Sequence, residues 1–195
     1  MIDFYSCNEY QTQLLLQFLL EKCDCFTFCL PNYGTIFNIS DSSNILKDYT
    51  LIKDKLERNN EEFLIYKNNV SDFFEEIKED IITNYRSNHY YGELCNYEKE
   101  IYLVKYNHRT MNVLRKYGCF SNWLSPKFPE DLFFWDGDVC YFSSISHEEE
   151  YSIYDDSEPV RQLLSEIGLE YYISENIEIP SLYNYKCQSG DGTGK

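Results

Sequence analysis

The sequence predicts an α+β fold: one domain over residues 1–186, with an antiparallel or mixed sheet and about five helices. Three observations lead there. Helical and strand periodicities are interspersed along the chain, hairpin signals concentrate in its second half, and no glycine-rich strand-to-helix turn of a nucleotide-binding parallel sheet occurs. A hydrophobic fraction of 43% and an aromatic fraction of 17%, in 195 residues, give enough apolar surface for a core.

The first element is a helix from about Asn8 to Lys22, where Tyr10, Leu14, Leu15, Phe18 and Leu19 recur at three- and four-residue spacing. Cys23 to Leu30 reads as a strand with Cys23, Cys25, Thr27 and Cys29 on one face and Phe26 and Phe28 on the other. Pro31 to Gly34 reads as a turn into a second strand, Thr35 to Ser40, and Asp41 to Asn44 caps a helix carrying Ile45, Leu46, Tyr49, Ile52 and Leu56. Glu62 to Tyr66 is short and apolar, which predicts a strand. Ser71 then caps a helix through about Tyr85, and the irregular stretch from Arg86 to Glu98 is a candidate internal linker.

Lys99 to Tyr106 predicts a strand, and Arg109 to Tyr117 a short helix closed by Gly118. The clearest hairpin joins Leu132–Trp135 to Val139–Ile145 through Asp136-Gly137-Asp138. Tyr151 to Tyr154 adds a third strand. Ser157 and Pro159 start a helix that Gly168 ends, and Leu169 to Ile173 returns as strand. Residues 187–195, ending GDGTGK, read as a disordered tail; Ser189 stands where a phosphate loop needs its first glycine.

The formal net charge is -16, and its distribution is uneven. Glu130 to Glu170 holds twelve acids and one base, Arg161, whereas Lys99 to Lys127 holds six bases and one acid, Glu100. Such a balance repels a phosphate backbone, which argues against direct nucleic-acid binding. Either the basic and acidic segments pack together and cancel, or the acidic segment faces solvent and steers a cationic partner. On the second reading Asp136, Asp138, His147, Glu148, Glu149, Glu150, Asp155 and Asp156 are the partner-binding residues.

Catalytic and metal motifs are missing. His147 with Glu148 opens like a zinc-protease helix, but the position four residues on is Tyr151. Cys23, Cys25 and Cys29 have no second cluster at ligand spacing, so the cysteines read as packed thiols, with no metal and no cofactor expected. The first twenty residues lack the basic segment of a secretory signal, and no apolar run reaches membrane-spanning length, so the expectation is a cytoplasmic protein that binds no membrane.

FPEDLFFWDGDVCYFSSISHEE, Phe128 to Glu149, resembles a Pro-Glu-Asp-aromatic hairpin ending in Ser/Ala-His-Glu in small uncharacterised proteins of low-GC Gram-positive bacteria. In size and charge the chain is also similar to immunity proteins of polymorphic toxin systems. That likeness implies a non-catalytic inhibitor or immunity factor occluding a basic toxin or nuclease-like protein. The alternative is a hydrolase-type enzyme using His147 and nearby carboxylates.

Overall fold

A computed structural model describes residues 1–31, 61–90, 93–124, 128–175 and 179–182. The predicted 31–34 turn beyond Pro31, the strand at 35–40, the helix at 45–56 and the tail at 187–195 lie outside the described residues. The fold is α+β, as expected, and the strands among the described residues form one sheet of eight, ordered β3-β4-β2-β5-β6-β7-β1-β8. The strands are β1 (Ile2–Tyr5), β2 (Cys25–Pro31), β3 (Ile81–Tyr90), β4 (Glu93–Lys105), β5 (Glu130–Asp136), β6 (Val139–Ile145), β7 (Glu150–Ile153) and β8 (Tyr171–Ile173). Every neighbouring pair is antiparallel, which resolves the expected choice between an antiparallel and a mixed sheet.

Four α-helices stand among the described residues, against about five expected: α1 (Glu9–Leu19), α2 (Glu61–Ile77), α3 (His108–Lys116) and α4 (Glu158–Glu166). Asn8 caps α1, accepting the Gln11 N–H at 2.9 Å while the Gln11 side chain takes the Asn8 N–H at 3.1 Å. Asn107 and Thr110 cap α3 in the same reciprocal way. Each helix contributes an apolar stripe to one core: Leu15, Leu16 and Leu19, then Val70, Phe73 and Ile77, then Met111 and Leu114, then Val160 and Leu164. These pack on the sheet face that carries Phe4, Phe26, Phe28, Phe134, Phe142 and Tyr151.

The other face buries a smaller cluster of Cys25, Cys29, Ile101, Leu103, Phe133, Trp135, Cys140 and Leu182. Alternation along β2 is as expected, with the phenylalanines towards the helices and Cys25 and Cys29 opposite, but Cys23 precedes the strand and joins the helix-side core. The buried Trp135 indole N–H donates to Thr27 Oγ1 at 3.0 Å. Cys7, Cys23, Cys25, Cys29, Cys119 and Cys140 are thiols outside any disulfide, and all of these but Cys119 are buried.

Three expectations are corrected. Residues 62–66 belong to α2, because an apolar run of that length fits either element and Val70, Phe73 and Ile77 continue it at helical spacing. The helix predicted from Ser71 to Tyr85 therefore has Ser71 in its interior and stops at Ile77; after a single 3₁₀ turn, Lys78–Asp80, Ile81 enters β3. Cross-strand partners on β4 override the local helical pattern there. Residues 86–90 and 93–98 of the candidate linker likewise belong to the paired strands β3 and β4, with Arg86 opposite Glu100 and Tyr90 opposite Glu93, and His89 within the strand. β1, four residues at the start of the chain, was too short to show a pattern, yet it joins β7 to β8.

Candidate functional site

The predicted acidic residues divide between two ends of the β5–β6–β7 strands. Asp136, Gly137 and Asp138 form the exposed β5–β6 turn, with Gly137 at φ +57°, where a glycine avoids the Cβ penalty. Ser146 to Glu149 make the β6–β7 turn at the far end of a seven-residue strand, roughly 20 Å away. Because β7 returns antiparallel, Asp155 and Asp156 come back towards the Asp136 end. The Tyr154 N–H donates to the Tyr141 carbonyl at 2.9 Å, and the Tyr141 hydroxyl donates to Asp155 Oδ2 at 3.0 Å.

Their environments differ. Burial opposes ionisation of Asp155, but the Ser157 backbone N–H at 2.9 Å, with the Ser157 and Tyr141 hydroxyls, outweighs it and holds the carboxyl below its ordinary value. Asp155 is thus tied into the start of α4. Asp156 pairs with Arg161 at 3.4 Å. His147, Glu148 and Glu149 are exposed, with His147 Nε2 at 3.6 Å from Glu148. Glu150 is half-buried, and burial, then Asp3 and Glu148, raise its pKa, so negative charge is crowded at this end. Among the described residues no lysine or arginine lies within ion-pair distance of Asp136, Glu148, Glu149 or Glu150.

Three cations of the basic segment are engaged elsewhere. Arg109 pairs with Asp80 at 2.5 Å and Glu79 at 3.3 Å, Lys116 pairs with Glu76, and Arg115 donates to the Gln13 carbonyl and to Gln17 on α1. The acids that meet them come from α2 and the turn after it. Local cancellation between the basic segment and the acidic hairpin therefore occurs at a single described cation, Lys99.

Lys99 belongs to a buried cluster that composition and spacing do not reveal. Its Nζ is 3.2 Å from Glu130 and 3.9 Å from Asp131. A bulge in the β2–β5 pairing sets Cys29 opposite Glu130, and one ligand atom from each of Cys29, Glu130 and Asp131 falls within 4.8 Å of the others. Such a donor set has the span of a metal site, but the Lys99 ammonium already supplies the counter-charge that a cation would bring. Asp131 sits at φ +50°, a conformation uncommon outside glycine, and its Oδ1 accepts the Ser146 N–H at 2.9 Å. Next to it, Ser144 Oγ accepts the Leu132 N–H at 2.8 Å and donates to the Leu132 carbonyl at 3.1 Å. Side chains thus continue the β5–β6 ladder up to the acidic turn. Burial pushes the Asp131 carboxyl up to about 6, although the Ser146 N–H and Lys99 pull it down.

A second feature also escaped the sequence: Tyr5 and Tyr172 stack on the sheet surface beside Glu150. Neither lies in a motif, and β1 was not predicted, so no local signal marked them. No protein-family model, no curated protein and no solved structure matches this chain.

Proposed function

We propose that this chain is a non-catalytic acidic binding protein, an inhibitor or immunity factor that occludes a basic protein partner of toxin or nuclease type. The observation that carries the reading is the segregation of charge. Arg109 and Lys116 pair with Glu76, Glu79 and Asp80, and Asp136, Glu148 and Glu149 face solvent with no lysine or arginine at ion-pair distance among the described residues. A one-sign field of that kind accelerates encounter with a basic surface and repels nucleic-acid backbone. The hydrolase-type alternative rests on His147, which is exposed and meets one carboxylate, Glu148, at its edge. That is weak support for an enclosed general base.

Affinity capture from native lysate at low and moderate salt, followed by association kinetics with the captured protein, tests the reading. Glu148→Gln, Glu149→Gln and Glu150→Gln together should preserve the fold, slow association at low ionic strength and flatten its salt dependence, since charge steering is screened beyond about 10 Å at 0.1 M salt. Asp136→Asn with Asp156→Asn reports on the opposite end. Parental association rates and parental salt dependence in both variants would refute the proposal.

A further inference from the structure

We infer that the stacked Tyr5–Tyr172 pair, with Glu150 beside it and Glu148 next to Glu150, forms one cradle, which takes an arginine side chain from an extended segment of the partner. This rests on the proposed binding function and locates it at one end of the sheet. Both rings are large, aromatic and open to solvent, Tyr5 at 55% and Tyr172 at 42% exposure. Their centroids are 5.7 Å apart at an interplanar angle of 28°, and the Tyr172 hydroxyl donates to the Tyr5 hydroxyl at 2.8 Å. The register places Tyr5 directly across from Glu150, and Tyr172 across from Asp3, so all four side chains project from one face of β7–β1–β8.

The turn is held against this pair. The Ser6 N–H donates to the Glu149 carbonyl at 3.3 Å, and both residues have left-handed φ, +57° and +53°, which bends the ends of β1 and β7 together. Asp3 is buried below, its carboxylate taking the Ser152 hydroxyl at 2.6 Å and the Ser174 hydroxyl. Burial, then the Tyr5 hydroxyl and the charges of Asp3 and Glu150, raises the Tyr172 hydroxyl pKa, which marks the patch as electronegative.

Ring faces and carboxylates together favour a cation, and the guanidinium suits them best. Its plane stacks on an aromatic ring while its fork of donors reaches a carboxylate; a lysine ammonium is more strongly hydrated and cannot do both. A nucleobase could stack as well, but its phosphates would meet Glu148, Glu149 and Glu150. β8 is the last strand of the sheet, and among the described residues it has β1 on one side and no strand on the other, so an extended segment can approach along it.

The test uses the full chain and a synthetic probe, a decapeptide alternating arginine and threonine, with a lysine–threonine peptide as its comparison, titrated at low ionic strength. The parent should bind the arginine peptide several-fold more tightly than the lysine peptide. Tyr5→Leu with Tyr172→Leu should weaken the arginine peptide by about five-fold and erase the preference, because the loss is that of an exposed cation–π contact. Fluorescence of the buried Trp123 and Trp135 reports folding; Tyr172→Leu alone, on the three-residue edge strand, is the milder second variant. No binding of the arginine peptide by the parent, or an unchanged preference in these variants, overturns the cradle. Weakening by the Glu148–Glu150 amide variant without any effect of the tyrosine variants would leave the acidic-surface reading standing and remove the cradle; indifference to both sets would remove both.

Discussion

Asp131→Asn isolates the energetic consequence of the buried cluster beneath the acidic turn. The Asp131 carboxyl is moved from its ordinary 3.8 up to about 6 by burial. At about 1.4 kcal/mol per pH decade, ionising it in the folded chain costs about 3 kcal/mol relative to the unfolded chain. The native state binds the proton more tightly, so stability from this group is fully present below pH 3.8 and is lost as pH rises through about 6. The amide retains an oxygen for the Ser146 N–H and leaves Glu130 with Lys99, but it does not titrate. Urea unfolding of both proteins from pH 4 to pH 8 should show the variant gaining about 2.4 kcal/mol on the parent across that window, the remainder lying below pH 4, whatever constant offset the lost Lys99–Asp131 attraction adds. A stability difference that stays flat over the range would refute the reasoning and mean that Asp131 is ionised throughout.

Two further outcomes are expected of the fold. Phe134→Ala and Phe142→Ala, each removing a fully buried ring from the helix-side core, should cost about 3–5 kcal/mol in urea unfolding, and Tyr141→Ala, half-buried and bonded to Asp155, about 1–2 kcal/mol; equal losses at all three positions would contradict the β5–β6 register. Gly118→Ala should destabilise by more than about 1 kcal/mol, since φ is +79° and the added Cβ would come within 2.8 Å of Asn122 Nδ2, which donates to the Tyr117 carbonyl. Gly137→Ala, with open space around it at φ +57°, should cost less in the same measurement.

What the sequence by itself determined are the features that reside in local pattern and in composition. The α+β class, the β5–β6 hairpin with its glycine turn, the glycine stops of the late helices at Gly118 and Gly168 and the concentration of acid between Glu130 and Glu170 all follow from residues close together in the chain. Antiparallel return then placed Asp155 and Asp156 near Asp136 and away from Glu148, because two-fold alternation and short turns leave little freedom.

Tertiary structure alone decided the rest, for a common reason: the outcome depended on partners distant in sequence. Residues 62–66 and 81–85 carry apolar patterns compatible with either element, and the helix-side core and the β4 ladder selected between them. The same holds for charge. Counting acids and bases showed polarity, but whether Arg109 and Lys116 would neutralise the acidic hairpin depended on their meeting Glu76, Glu79 and Asp80 first. Cys29, Lys99 and Asp131 come from three strands, and Tyr5 meets Tyr172 across 167 residues; pairing in the sheet is what joins them, and no window along the chain contains both members.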